Sequence, residues 1–353
     1  MLGYKIDLYK QHQINLSKYD AQKQLTDLRK DYPWIKQLHS QTLQAVSDRL
    51  FSAYDSFFKS NFGFPKFAKK GIYSSFDFKQ GVKLHPNTNR ISLPSIGKVK
   101  YHNSRPIEGI IKKAIIKQEG KDWFISLICE VEQPQIKEPN TNSIGIDVGL
   151  NHFAVLSNGE KIENPRIYRK GEGEIKRLSK AVSRKKKGSN NRLKAVDRLR
   201  RDYLKIKNRR KDFIHKLSTK LINENQVIVL EDLKVKNMIQ NPHLSKSIGD
   251  AGWSMLRGML EYKSNWYGRQ LILVPPHNTS KDCSECGWRK EEMSLSIREW
   301  VCEGCGAVHD RDINAANNIL NLGLKILAEL GHNSDIAEET RGNISLSLDM
   351  ATQ

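Results

Sequence analysis

The spacing of apolar residues changes along the chain, and each change marks a new segment. Through residues 1–60 apolar residues recur at three- and four-residue steps, which predicts helices. A connection rich in glycine, proline and lysine follows at 61–71. From 72 to 131 apolar residues alternate with polar and basic ones, as is typical of short strands. We therefore expect a helical segment over 1–60 and a β-rich, barrel-like segment over 61–135.

A polar, proline-containing segment at 132–142 predicts a domain boundary. Beyond it, strongly apolar strands alternate with helical stretches, and this order predicts an α/β fold. The predicted strands lie within 143–156 and at 161–163, 226–230 and 270–274, and the predicted helices lie at 175–182, 193–221, 253–267 and from 310 to about 330. The remaining residues are polar and without period, so we expect a disordered tail at 331–353.

The charge of the chain is concentrated in one segment. The 353 residues suffice for two or three domains, and 59 Lys and Arg against 39 Asp and Glu give a net charge of +20. Residues 166–216 hold 21 basic and 5 acidic side chains, so +16 of this excess lies there. The segment is predicted to be a helical hairpin (166–221), and its charge favours nucleic acid over an acidic membrane surface. The candidate contacts are Arg184, Lys185, Lys186, Lys187, Arg192, Arg200, Arg201, Arg209 and Arg210.

Membrane association is not expected from the hydropathy pattern. No apolar run approaches the roughly 18 residues that span a bilayer, and the first residues do not resemble a signal peptide. We therefore expect a cytoplasmic, nucleoid-associated protein with neither a membrane nor a small-molecule partner.

Four of the five cysteines form two Cys-x2-Cys pairs separated by 15 residues. They are Cys283, Cys286, Cys302 and Cys305. This spacing is typical of a structural zinc ribbon, which we place at 279–308. Gly287 and Gly306 follow the two pairs and are expected to supply the turns. A pair of disulfides is the alternative interpretation, and the reducing interior of a cell disfavours it.

Three acids stand at the ends of predicted elements. Asp147 lies in an apolar strand, where an unpaired charge is costly. Glu231 ends another core strand, and Asp312 opens the last helix. The order of elements favours a ribonuclease-H-like sheet that would bring the three carboxylates together. Converging carboxylates suit Mg2+ or Mn2+, and two such ions about 4 Å apart could hydrolyse a phosphodiester.

Each acid also has a plainer interpretation. Asp312 could be a helix cap alone, since carboxylates are favoured at helix N-termini. Glu231 could be an exposed residue at a strand end. Asp147, between Gly145 and Gly149 in an apolar strand, is the hardest to explain without a ligand. Beside a basic hairpin and a zinc ribbon, the three acids favour a nuclease.

These motifs together resemble the TnpB/OrfB family encoded by bacterial insertion sequences. The resemblance spans roughly residues 15–325. It rests on five motifs in the family's order: Gly145–Gly149, Val229–Leu233, Asp250–Trp253, the two Cys-x2-Cys pairs and Asp310–Asn318.

The resemblance implies an RNA-guided DNA endonuclease, although such proteins are often described as transposases of transposable elements. It implies a RuvC-type nuclease domain (143–278), interrupted by the zinc ribbon and completed by a final helix (309–330). Asp147, Glu231 and Asp312 would be the catalytic, metal-binding triad, and the four cysteines would bind zinc. Guide RNA and target DNA would be the partners, with the basic hairpin along the heteroduplex. The segment 61–135 would be a wedge-like nucleic-acid-binding domain and 1–60 part of a recognition lobe.

The sequence departs from the family at its start. Members usually open with a strand of the wedge barrel and the first recognition helices, so we expect a truncated N-terminus. A nucleic-acid-binding remnant or regulator that no longer cleaves is therefore the alternative function. A zinc-ribbon transcription or translation factor would leave Asp147 and Glu231 unexplained, and a strand-transferring transposase would need a second activity.

Overall fold

The computed structural model describes residues 1–60, 62–68, 74–104, 106–132, 138, 140–294 and 296–338. Parts of the predicted connections at 61–71 and 132–142 lie outside the described residues, as does the predicted tail beyond 338. The chain divides into two units, Met1–Glu132 and Gln133–Gln353.

Helices begin the first unit, as predicted. They are α1 (Leu2–His12), α2 (Lys18–Asp31), α3 (Pro33–Lys36) and α4 (Ser40–Ser60). The Ser17 hydroxyl accepts a hydrogen bond from the backbone N–H of Asp20, so it satisfies one of the free N–H groups that open α2. Pro33 occupies the first position of α3, where a missing N–H costs nothing.

The strands of the first unit form two antiparallel sheets. They are β1 (Ser75–Phe78), β2 (Lys83–His85), β3 (Arg90–Leu93), β4 (Gly97–Lys100), β5 (Ile110–Glu119) and β6 (Asp122–Glu130). Their order is β1-β5-β6 in one sheet and β2-β3-β4 in the other. Among the described residues, the predicted barrel-like segment consists of two sheets, since β2 to β4 pair with one another. Phe78, Ile91 and Ile116 join both sheets in one apolar core.

A buried aspartate ties the helices of the first unit to its strands. Asp77 of β1 is 2% exposed and is paired with Arg49 of α4 at 2.7 Å and with Lys113 of β5 at 2.6 Å. Such a buried carboxylate is tolerated because both cations compensate it. Residues 1–132 form one unit, and these ion pairs join its helices to its strands.

A five-stranded sheet forms the centre of the second unit, which is mixed α/β. Its strands are β7 (Ser143–Val148), β8 (His152–Leu156), β9 (Lys161–Glu163), β10 (Val227–Glu231) and β11 (Gln270–Val274), in the order β11-β10-β7-β8-β9. Strands β7, β8 and β9 are an antiparallel meander. Strand β10 runs parallel to both β7 and β11.

Helices follow and surround this sheet. They are α5 (Ile167–Ser183), α6 (Asn190–Glu224), α7 (Val235–Met238), α8 (Ser245–Ala251), α9 (Trp253–Tyr267) and α10 (Arg311–Glu338). The short strands β12 (Glu299–Val301) and β13 (Val308–Asp310) pair just before α10. Helix α10 continues to Glu338, into the segment 331–353 for which a tail is predicted. Residues 331–338 hold one glycine and no proline to stop a helix. Within the described ranges, no helix has the length and apolar character to cross a membrane.

The two faces of the sheet are covered by different helices. Even-numbered residues such as Ile146 and Leu230 pack in a core with α6 and α9. The odd-numbered Val227 and Val229 pack with Ile319 of α10. Because side chains alternate along a strand, the odd-numbered residues of β7 and β10 face α10.

Candidate active site

Asp147 and Glu231 lie on neighbouring strands, on the face of the sheet that α10 covers. Strand β10 is parallel to β7, with Leu230 paired to Ile146. The next residue on each strand is one of the two acids. Adjacent strands are about 4.8 Å apart, so this register sets Glu231 beside Asp147.

Helix α10 lies directly on β7 because residue 145 is glycine. A Cβ atom at Gly145 would stand 2.1 Å from the carbonyl oxygen of Ala316, too close for any side chain. This close packing brings the first turn of α10 to the end of β7. Asp312 and Asp147 consequently line one cleft.

The cap of α10 is Asp310, not Asp312. The Oδ1 atom of Asp310 accepts hydrogen bonds from the backbone N–H groups of Asp312 and Ile313, both at 3.0 Å. Its Oδ2 atom accepts one from Lys161 Nζ at 2.6 Å. Although burial opposes the effect, these hydrogen bonds lower the pKa of Asp310. The carboxylate of Asp312 is therefore not used in capping, and the plainer interpretation of this residue fails.

The electrostatics of the cleft are dominated by Asp147. Burial, followed by the negative charges of Glu231 and Asp312, raises the pKa of Asp147 to about 8. The positive charges of Arg311 and Arg298 oppose this shift. Neighbouring carboxylates of this kind cannot all be negatively charged unless cations are present to compensate them. Its oxygen atoms are ligands that Mg2+ and Mn2+ prefer, so the residues fit such an ion.

Thr279 forms a hydrogen bond with Glu231, the second of the three acids. Its hydroxyl donates a hydrogen bond of 2.8 Å to Oε1 of Glu231. Burial raises the pKa of Glu231, while the Thr279 hydrogen bond and the charge of His277 lower it. Thr279 was not among the residues predicted from the sequence, because its partner lies 48 positions earlier in the chain.

Arg298 contacts the third acid. Its Nη1 atom lies 3.3 Å from Oδ1 and 3.5 Å from Oδ2 of Asp312, and Arg298 also lines the cleft with Asp147. It is exposed, and it also brings a cation to the acids. The ribbon segment carries no periodicity that could have revealed this contact.

The four cysteines form a compact cluster with the dimensions of a zinc site. The Sγ atoms of Cys283 and Cys305 are 3.8 Å apart, and those of Cys286 and Cys302 are 3.6 Å apart. Tetrahedral Zn–S bonds of about 2.3 Å require sulfur atoms about 3.8 Å apart. A disulfide requires about 2.05 Å, so the disulfide alternative is excluded. The cluster therefore fits a structural zinc ion.

Two equivalent turns bring these sulfur atoms together. The N–H of Gly287 donates to the carbonyl of Cys283 at 2.9 Å, and that of Gly306 donates to the carbonyl of Cys302 at 2.8 Å. Both glycines have positive φ angles, 78° and 77°, which other residues adopt only with strain. The glycine turns predicted from the sequence are confirmed.

The predicted nucleic-acid contacts fall into two groups. Seven side chains are exposed: Arg184, Lys185, Lys186, Lys187, Arg200, Arg201 and Arg209. Among them, Arg201 pairs with Asp197 at 2.9 Å. Arg192 differs, because it donates to the carbonyls of Val182 and Lys185 and thereby joins α6 to the end of α5.

Arg210 also differs from the exposed group. It donates to Asp250, whose side chain is 4% exposed, at 3.0 Å. Asp250 also accepts hydrogen bonds from the backbone N–H groups of Tyr168 and Arg169, at 2.8 and 3.2 Å. Arg210 and Asp250 therefore fix the base of the hairpin, a role that charge counting did not reveal.

Two models of protein families each match part of the chain. OrfB_IS605, described as a probable transposase, matches residues 126–242. A Cas12f1-like TNB domain matches residues 253–319, which include the four cysteines and Asp312.

Two related proteins are similar in sequence to most of the chain. "Putative RNA-guided DNA endonuclease" of Streptomyces pristinaespiralis is 38% identical over 307 residues, which are 85% of this chain and 76% of that protein. "Putative RNA-guided DNA endonuclease InsQ" of Escherichia coli (strain K12) is 36% identical over 310 residues, 84% of this chain and 77% of that protein. The chain therefore belongs to the TnpB/OrfB family, and the resemblance found in the sequence is confirmed.

Solved structures are more distant. A Cas12f1–sgRNA–target DNA complex matches with a TM-score of 0.39 and 16% identity, over 91% of this chain and 89% of that chain. A CRISPR-Cas12f ternary complex matches with a TM-score of 0.41 and 18% identity, over 90% of this chain and 78% of that chain. Neither likeness is close enough to assign the fold.

Proposed function

We propose that this chain is an RNA-guided, metal-dependent DNA endonuclease of a transposable element. The observation that carries the proposal is the set of Asp147, Glu231 and Asp312 at one end of the sheet, on the face covered by α10. The names of the relatives support guide RNA and target DNA as partners. A location in the cytoplasm at the nucleoid follows from such a substrate.

The fold we propose for the second unit is the ribonuclease-H-like, RuvC type. An antiparallel meander, β7 to β9, is extended by β10 and β11, both parallel to β7. The first strand, the fourth strand and the last helix supply the acids. The zinc ribbon lies between the last strand of this sheet and that helix.

Hydrolysis by two ions suits the chemistry of the three carboxylates, whose oxygen atoms are ligands that Mg2+ and Mn2+ prefer. Two such ions would lie about 4 Å apart. When bound, they would activate a water molecule and stabilise the leaving oxygen of the phosphodiester.

The protein's own residues prepare this site. Asp147 must give up its proton before a cation binds, because its pKa is raised to about 8. Thr279 lowers the pKa of Glu231 and fixes one of its oxygen atoms. Arg298 neutralises Asp312 when no cation is present and can turn to a substrate phosphate when one is.

The basic hairpin suits a guide–target heteroduplex. Its exposed cations would contact phosphates without reading sequence, so that sequence recognition is left to base pairing. Arg184, Lys185, Lys186, Lys187, Arg200, Arg201 and Arg209 are the residues we assign to this role. The zinc ion would be structural, since four cysteines leave no open coordination position.

The experiment that tests the function is to express the full chain with its native flanking DNA, purify it and sequence the RNA that accompanies it. We expect one abundant RNA whose end names a target, and Mg2+-dependent cleavage of DNA carrying that target. RNA binding without cleavage would instead support the nucleic-acid-binding remnant. Heterogeneous RNA, or none, would contradict guidance by RNA.

A further inference from the structure

His309 is a buried histidine that contacts a zinc ligand. It is 7% exposed, and its Nε2 atom lies 3.1 Å from Sγ of Cys283. The four cysteines already complete a tetrahedral set, so His309 is not needed as a ligand. Its ring packs beside Trp300, its partner residue in the adjacent strand, with ring centroids 5.0 Å apart.

The same histidine lies one residue before the cap of α10. His309 and Asp310 both belong to the three-residue strand β13. Asp310 accepts hydrogen bonds from the backbone N–H groups of Asp312 and Ile313. The path from the Cys283 sulfur atom to Asp312 therefore consists of one hydrogen bond and one short, continuous stretch of backbone. Any movement of His309 would be transmitted to the first turn of α10.

We propose that His309 donates its Nε2–H to the zinc-bound thiolate of Cys283, and that this hydrogen bond makes zinc occupancy a condition for the placement of Asp312. A thiolate accepts but cannot donate, so the histidine nitrogen that faces it must carry the proton. A charged acceptor makes this bond stronger than one between neutral groups. His309 is thus a positioning residue for both the zinc ion and the acid.

Substituting His309 by Gln or by Met, two residues of nearly the same size, separates the effect of hydrogen bonding from that of packing. His309→Gln keeps an N–H donor, whereas His309→Met has nearly the same size and none, and His309→Phe keeps only the aromatic contact with Trp300. The full-length, zinc-loaded variants are mixed with a chelating dye, and the rate of zinc release is measured. We expect Gln to remain near the parent, and Met and Phe to lose zinc about 10- to 100-fold faster. Val308→Ala, at an exposed position of the same strand, is the control and should match the parent.

The opposite order would overturn the proposal. If His309→Phe retained zinc like the parent and His309→Gln released it quickly, packing on Trp300 would be the role of the histidine. A changed Co2+ absorption spectrum in His309→Gln would make His309 a ligand, which also contradicts the proposal. These outcomes do not depend on nuclease activity.

The link to Asp312 rests on the proposed function and has its own measurement. Binding of Mn2+ to the acids is followed by titration of His309→Met that carries one equivalent of zinc, because excess zinc would compete for the carboxylates. We expect weaker Mn2+ binding than in the parent, and parent-like binding in His309→Gln. Parent-like binding in His309→Met would refute the link. If the parent itself binds no Mn2+, the proposed function fails, while the zinc-release comparison still decides the role of His309.

Discussion

The carbonyl oxygen of Ala316 occupies the position that a Cβ atom of residue 145 would need, only 2.1 Å away. Strand β7 and helix α10 are therefore packed backbone to backbone. Asp147 is two residues further along this strand, and Asp312 is one helical turn before Ala316. The glycine thus determines how closely the two acids approach.

Gly145→Ala is expected to damage both stability and the site. The new methyl group must push α10 away, and overpacking of this kind costs about 1–3 kcal/mol. Asp312 would move with the helix, so Mg2+-dependent cleavage should fall more than the loss of folded protein explains. Denaturant unfolding and cleavage assays measure the two effects. Gly173→Ala is the control, because Gly173 lies in helix α5 with open space around it, and alanine there should be neutral or slightly stabilising.

The raised pKa of Asp147 predicts how stability depends on pH in the absence of divalent cations. The ordinary pKa is 3.8 and the folded value is about 8, so between these values the folded state holds a proton that the unfolded state has lost. The free energy of unfolding should therefore decrease as pH rises from about 4 to about 8. In Asp147→Asn this contribution should be absent. Urea unfolding at pH 5 and pH 8 tests this, and equal pH dependence in both proteins would contradict the assignment.

Thr279→Val is expected to weaken cation binding in a pH-dependent way. The Thr279 hydrogen bond lowers the pKa of Glu231, so its loss should leave more Glu231 protonated at neutral pH. A proton competes with the cation, so Mn2+ affinity should fall and the deficit should shrink as pH rises. Thr279→Ser keeps the hydroxyl group and should behave like the parent. A deficit that is constant from pH 6 to pH 9 would speak against this role.

Substitutions in the basic hairpin should separate binding from stability. Arg200→Ala and Arg209→Ala should each weaken nucleic-acid binding and reduce its salt dependence by about one phosphate contact. Arg210→Ala should instead destabilise the fold by roughly 1–3 kcal/mol, because buried Asp250 loses a charged partner. Binding titrations across salt concentrations and denaturant unfolding distinguish the two classes. Equal loss of stability in all three variants would refute the division.

The local features of the site could be predicted from the sequence, and its long-range contacts could not. Asp147 and Glu231 stand out because a charge in an apolar strand is costly, and strand alternation alone turns both toward the same face. The cysteine spacing and its glycines likewise encode a local turn. Arg298 and Thr279 reach their acids across the ribbon, where no periodic pattern reports the contact. Arg192 and Arg210 were counted as surface charge because burial depends on the helices that pack around them.

In the first unit, too, local structure could be predicted from the sequence and long-range contacts could not. Its helices and strands follow from periodicity, but the partition of its strands into two sheets depends on pairing between distant segments. The core of Phe78, Ile91 and Ile116 that joins the sheets combines residues far apart in the chain. The buried ion pairs of Asp77 likewise connect elements that the sequence assigned to separate segments.

The most direct test of the central claim is cleavage of guide-matched DNA by the purified chain and its RNA, compared between the parent and Asp147→Ala. Asp202→Ala is the matched control, because Asp202 is an acid of the hairpin that pairs with Lys205 on the surface. We predict Mg2+-dependent cleavage by the parent and by Asp202→Ala, and none above background by Asp147→Ala with RNA binding retained. Cleavage by Asp147→Ala at the parent's rate would contradict a site built on Asp147, Glu231 and Asp312.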